Sequence, residues 1–176
     1  MADSIANLAG NSVGMALPHI QLVTPASADD LAATSGIFRE YAISLGFDLC
    51  FQDFEGEIAN LPGDYAAPRG ALLLAKVNGE VAGCCALRPL DSSDYVNAAE
   101  MKRLYVRPAF RGLGLGRQLA EAILDEARMG GYDSVLLDTL DDMEIARAMY
   151  EELEFKEIPP YYHNPLAGAH YLKVDL

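Results

Sequence analysis

The sequence predicts an α/β fold, a mixed sheet of six to seven strands flanked by helices, and three observations carry that prediction. Short β-rich runs alternate with amphipathic helical stretches along most of the chain. Two of those runs, Ala71 to Val77 and Glu80 to Leu87, are joined by Asn78-Gly79, a strong hairpin signal. A third run, Tyr95 to Val106, ends at Pro108 and a glycine-rich loop that opens directly onto a helix. A chain of 176 residues is most simply one domain, here 17–176 behind a loose small and polar segment at 1–16, with Met15 as an alternative start.

Taken in order, His19 to Val23 reads as a short strand closed by Thr24-Pro25. Ser27 is suited to cap a helix from about Ala28 to Leu45, whose Leu31, Phe38, Tyr41, Ala42 and Leu45 recur at helical spacing, and Gly46 stops it. Phe47 to Gln52 is an apolar loop, either packing or the wall of a pocket, and a short helix follows at Glu55 to Asn60. After the hairpin comes the long strand, in which the apolar set changes parity: Ala99 and Met101 share one face, Leu104 and Val106 the other. One extra residue at Lys102-Arg103, a β-bulge, would put Met101, Leu104 and Val106 on one face and free backbone N–H groups for a ligand. The next helix, about Gly114 to Met129, carries an apolar stripe of Leu115, Leu119, Ala122, Ile123 and Ala127 and ends at Gly130-Gly131. Ser134 to Leu137 reads as a buried strand. Thr139 or Asp141 is expected to cap the last helix, striped by Met143, Ala146, Tyr150 and Leu153. Strands at Phe155 to Ile158 and Gly168 to Val174 complete the order β-α-α-β-β-β-α-β-α-β-β.

Composition narrows the function classes. Twenty-six acidic residues against 13 basic ones give a formal net charge of −13, which argues against nucleic acid and mildly favours cationic substrates. No apolar run approaches the roughly 20 residues that a membrane span needs, and the N-terminus lacks the charged region of a signal peptide. Cys84 and Cys85 are adjacent in a strand and point to opposite faces, which reads as small buried hydrophobes in a reducing cytoplasm. His19, His163 and His170 show no metal-ligand spacing, so no metal is expected.

The stretch Val106-Arg107-Pro108-Ala109-Phe110-Arg111-Gly112-Leu113-Gly114-Leu115-Gly116-Arg117 carries the chemistry. Glycines let backbone N–H groups crowd an anion, and the following helix turns its positive end to the same point. The spacing is neither the dinucleotide-binding G-x-G-x-x-G nor a P-loop. Arg111-x-x-Gly114-x-Gly116 after the strand Met101 to Val106 resembles the acyl-CoA-binding motif of the GCN5-related N-acetyltransferases, whose order of elements is similar from about His19 to Leu176. The resemblance implies the acyl-CoA N-acyltransferase (GNAT) fold and transfer of acetyl from acetyl-CoA to a primary amine of a small molecule, amino acid or peptide by direct attack on the thioester. The alternative is a non-catalytic acyl-CoA-binding sensor or module. Family members are often dimers, which leaves a homodimer as an open expectation.

The resemblance also implies roles. The backbone of Leu104, Tyr105 and Val106 would hold the acyl and pantetheine end. That of Gly112, Leu113, Gly114, Leu115, Gly116 and Arg117 would hold the pyrophosphate, with Arg111 and Arg117 adding charge. Without it, these are a tight turn and a solvated basic spot. The segment Ala146 to Phe155 looks like the family's A-x-x-x-Y-x-x-x-G-F motif, in which the tyrosine, here Tyr150, protonates the coenzyme A thiolate. By periodicity alone Tyr150 is a core tyrosine. Two residues depart from the pattern, Glu154 in place of glycine and Met143 in place of asparagine. Glu100, on the strand that would carry the thioester, is the implied general base; the alternative is a salt bridge to Arg88 or Lys102, and Asp138 and Asp48 are lesser candidates. Tyr161-Tyr162-His163 precedes the last strand, where related acetyltransferases line the acceptor site, and reads either as an aromatic wall for the acceptor amine or as a turn with anchoring aromatics.

Overall fold

The computed structural model describes residues 16–176. The expectation for the N-terminal segment therefore lies almost wholly outside the described residues.

The first strand, β1 (Ile20–Val23), leads into helix α1 (Ala28–Leu45). Ser27 caps it through a bond from the Asp30 N–H at 3.1 Å, and Gly46 ends it in the left-handed region at φ 73°. The connection holds a 3-10 turn at Cys50–Gln52 and the short α2 (Phe54–Ala59). Strands β2 (Ala71–Val77) and β3 (Glu80–Pro89) form the expected hairpin, with Asn78 and Gly79 both at positive φ, as a type I′ turn requires. Then come β4 (Ala98–Val106), α3 (Leu115–Met129), β5 (Ser134–Leu140), α4 (Glu144–Glu152), β6 (Lys156–Ile158) and β7 (Ala169–Asp175).

The seven strands make one sheet in the order β1-β2-β3-β4-β5-β7-β6, antiparallel except where β4 meets β5. On one face α3 and α4 bury Leu119, Ile123, Ala127 and Tyr150 against Leu73, Cys85, Met101 and Leu137. On the other, α1 and α2 bury Ile37, Phe38 and Phe54 against Leu72, Leu74, Cys84 and Ala86. The two adjacent cysteines thus serve opposite cores, both buried and free. Among the described residues no helix is long and apolar enough to cross a membrane, and no cluster of His, Cys, Asp or Glu could hold a metal ion.

Two local expectations are corrected. The run from Ser134 extends as strand to Leu140, so Thr139 lies within β5 and cannot cap α4. Asp141 cannot either: its N–H bonds to Gly168 O and its carboxylate to His170, which pin it to the start of β7. Met143 occupies the cap position and α4 begins with no side-chain cap.

Candidate functional site

The site is organised by a parting of strands. β4 pairs with β5 only at Ala98, Ala99 and Glu100, whose partners are Ser134, Val135 and Leu136. Beyond Glu100, β4 continues beside β3 to Val106, while β5 continues beside β7 to Leu140. Among the described residues the outer edge of β4 from Met101 onward therefore has no strand beside it. The bulge inferred from parity stands at this point: Cys84 pairs with Tyr105 and Ala86 with Lys102, so Arg103 and Leu104 together oppose Cys85 alone. Arg103 takes a left-handed φ of 59° to accommodate it. Met101, Leu104 and Val106 now share the α3 face, while Tyr105 packs with the α1 core.

The glycine loop follows after Arg107 and a 3-10 turn at Pro108–Phe110. Gly112 and Gly114 hold φ of 84° and 74°, a conformation that a side chain would strain. Gly114 is the N-cap of α3 and brings no side chain to satisfy the first turn. Among the described residues no acceptor meets the backbone N–H of any residue from Gly112 to Arg117; the first bonded amide is that of Gln118, to Gly114 O. Six successive free donors at the positive end of a 15-residue helix form a ready anion cradle. The side chains contribute less than expected. Arg111 donates through Nε to Val106 O at 3.1 Å, which ties the loop to the end of β4. Arg117 is engaged by Glu152 of α4 and by Glu121 at 3.6 Å, so its guanidinium is turned along the helices.

On the α1 face of the same strands lies a connected polar network. Arg103 forks onto Glu57 of α2 at 2.6 and 2.9 Å and donates to Gln52 Oε1 at 3.0 Å, an atom that also receives Lys102 Nζ at 3.0 Å. Glu100, 2 % exposed, accepts from Arg88 at 2.8 Å and from the Tyr161 hydroxyl at 2.9 Å. Burial pushes the Glu100 carboxyl up, yet the charges of Lys102 and Arg88 and the bonds from Arg88 and Tyr161 outweigh it and hold the group below the ordinary carboxylate range. The same balance, with Arg103 as chief partner, keeps Glu57 low. Burial lowers Lys102, opposed by Glu100 and Asp138. Glu100 thus makes the salt bridge to Arg88 that its position allowed, while its other oxygen meets the Tyr161 hydroxyl.

Asp138 lies two residues past the last β4–β5 pair. Its Oδ2 accepts from Tyr162 at 2.8 Å and from Asn164 at 3.4 Å. Tyr171 packs edge to face on Tyr161 and Tyr162, which lie tilted to each other, with centroids 5.4 to 5.6 Å apart, while His163 is exposed. Asp48 accepts from the Cys50 N–H and stays outside this group. Tyr150 projects from α4 on the opposite face of the sheet, its ring 5.5 Å from Phe155. Among the described residues its hydroxyl has no bonded partner, and burial pushes it well above the ordinary tyrosine value, so it remains protonated. Gln52, Glu57, Arg88, Lys102 and Arg103 were not singled out from sequence as members of one network. The signal was present for the last two: consecutive basic residues in the parity gap of a core strand require buried partners.

Residues 37–155 match the family model described as the acetyltransferase (GNAT) family. An uncharacterized N-acetyltransferase of Schizosaccharomyces pombe is 38% identical over 148 residues, covering 84% of this chain and 89% of the relative. Among solved structures, an acetyltransferase from Streptococcus agalactiae superposes with a TM-score of 0.72 at 22% identity, over 89% of this chain and 98% of that one. YncA from Salmonella typhimurium, whose structure holds its cofactor acetyl-CoA, superposes at 0.66 and 20% identity, over 89% and 94%. At these identities the two structures speak for the fold.

Proposed function

The chain belongs to the GNAT acetyltransferase family, and from that premise we propose that it moves an acetyl group from acetyl-CoA to a primary amine of a small molecule, amino acid or peptide by direct attack on the thioester. The observation that carries the cofactor side is the run of six unpaired N–H groups from Gly112 to Arg117 at the start of α3, one turn from the unpartnered edge of β4. These donors fit a pyrophosphate, and the free edge at Leu104, Tyr105 and Val106 fits an amide-bearing arm that adds to the sheet as a strand would. Acetyl-CoA bound there supplies the activated thioester, whose C–S bond breaks as the acceptor nitrogen bonds to the carbonyl carbon.

The chain's own groups then move two protons. Tyr150, held neutral by burial, gives its phenolic proton to the departing sulfur. The amine's surplus proton passes to the Tyr161 hydroxyl as that hydroxyl gives its own to Glu100, 2.9 Å away. Burial and the charge of Glu100 hold Tyr161 above the ordinary tyrosine value, so it serves as a neutral relay and never as a free phenolate. Glu100, kept ionised by Arg88 and Lys102, is ready to accept at any pH above the acid range. Incubation with acetyl-CoA and a panel of amines, with thiol release as readout, tests the proposal; absence of acetyl-CoA binding by calorimetry would end it.

A further inference from the structure

We propose that Asp138 is a second base, which takes the first of the two protons that the acceptor nitrogen must lose: the acceptor enters as an ammonium at Asp138 Oδ1 and leaves that contact as a neutral amine. This deepens the acetyltransferase reading and rests on it.

An alkylamine near neutral pH is an ammonium, which has no lone pair with which to attack. Two protons must leave its nitrogen before an amide results, whereas Tyr161 and Glu100 form a path for one. Asp138 supplies the other acceptor. Its Oδ2 takes hydrogen bonds from the Tyr162 hydroxyl at 2.8 Å and from Asn164 at 3.4 Å. The first of these bonds is fixed from further away. Gln52 Oε1 meets both Lys102 Nζ and Arg103 Nη1, so the amide nitrogen of Gln52 is turned to the Tyr162 hydroxyl, at 3.3 Å. Asn164 Nδ2 donates to the same hydroxyl at 3.2 Å. With two donors on its oxygen, Tyr162 gives its hydrogen to Asp138. Among the described residues Asp138 Oδ1 has no donor.

Asp138 is the one charged residue of a cleft that Leu45, Phe47, Phe51 and Leu166 also line. The cleft's volume, about 30 Å³, admits an amino group and leaves the rest of the acceptor outside. The apolar walls and the nearby charge of Lys102 disfavour an ammonium there, which eases the transfer to Asp138. Tyr41 of α1, Tyr150 of α4, Tyr161, Tyr162 and Tyr171 also feel the Asp138 charge. Burial holds each of them above the ordinary tyrosine value, so all stay neutral and none competes for the proton.

Asp138 Oδ1 gains a proton as the nitrogen gains its lone pair. The nitrogen then bonds to the carbonyl carbon, the C–S bond breaks, and the sulfur takes the Tyr150 proton. Tyr161 and Glu100 take the second proton from nitrogen. Of the two protons collected, one reloads Tyr150 and the other leaves to water with the product.

The experiment offers ethylamine, 2-phenylethylamine, phenylalanine, aspartate and putrescine with acetyl-CoA, reads thiol release, and carries the fastest acceptor through a pH series. Wild-type kcat/KM should be level from about pH 6 to about pH 8, because the ammonium is the form that enters. Asp138→Asn should lose roughly 100-fold at neutrality and recover by about tenfold per pH unit, since only the free amine then reacts. Its acetyl-CoA affinity in calorimetry should be unchanged. Asp138→Glu, which restores a carboxylate, should return the level profile. Tyr161→Phe should lower kcat and keep the profile level. A level profile or an undiminished rate in Asp138→Asn overturns the inference, as does a rising profile in the wild type or in Tyr161→Phe. Acetyl-CoA binding with no wild-type turnover of any of these amines overturns the transfer reading and the inference with it; failure to bind acetyl-CoA overturns the cofactor site as well.

Discussion

At the scale of single residues, Glu100 and Tyr150 differ in how cleanly they can be tested. Tyr150→Phe removes a hydroxyl that has no bonded partner, so folding should be untouched while kcat falls by about 100-fold, measured as thiol release at saturating acetyl-CoA. Glu100→Gln is a harder experiment, because it leaves Arg88 and Lys102 buried beside an uncharged amide. Tyr161→Phe interrupts the same proton path without stranding a charge, and a comparable fall in kcat there would separate the relay from mere destabilisation. Glu57 makes the opposite case. It touches neither edge of the strand opening, yet it is the bidentate partner of the buried Arg103. Glu57→Gln should cost about 3 kcal/mol in denaturant unfolding, since breaking one side of a buried pair leaves the other charge uncompensated.

At the scale of elements, the end of α4 departs from the family pattern and the start of α3 keeps it. Helix α4 closes with bonds from Glu154 N–H to Glu151 O and from Phe155 N–H to Tyr150 O, both 3.0 Å, which is a Schellman motif with Glu154 in the left-handed position at φ 67°. Glycine is the residue suited to that conformation, so Glu154→Gly should stabilise the protein by about 1 kcal/mol, read as a rise in melting temperature. Helix α3 begins the opposite way, with a glycine where a capping side chain would otherwise sit. A Cβ on Gly114 would meet only Gln118 at 3.9 Å, but its φ of 74° is hostile to a β-branched residue and the side chain would stand beside the free amides. Gly114→Val should weaken acetyl-CoA binding by more than about tenfold, or 1.4 kcal/mol, in calorimetry on protein shown to be folded by circular dichroism.

At the scale of the whole molecule, the buried network ties stability to acid. Glu57 and Glu100 both titrate below the ordinary glutamate value of 4.5 in the folded chain: burial opposes this, and the ion pairs prevail. A carboxyl lowered by folding contributes stability above its unfolded value, and that contribution is lost as pH falls through the folded value. The melting temperature should therefore be level from neutrality down to the ordinary glutamate range and decline below it, and Glu57→Gln should flatten the decline. How much of this was legible beforehand follows from the range of each interaction. Period-2 and period-3.6 patterns are local, so every strand and helix, the Asn78-Gly79 turn, the Ser27 cap and the bulge at Arg103 could be read from neighbours in the chain. The α4 cap could not, because Asp141 is claimed by His170 from 29 residues away. The run of unpaired amides in the glycine loop was legible because its donors are main-chain groups, whose placement depends on backbone conformation alone. By itself the sequence determined the sheet, its flanking helices and the cradle at the start of α3. Only the tertiary structure decided that Arg117 pairs with Glu152, that Glu100 is enclosed by Arg88 and Tyr161, and that Asp138 keeps one oxygen unmet at the parting of β4 and β5. A side chain's charge acts through whatever the fold brings within a few ångströms, and those partners lie 12 to 61 residues away along the chain.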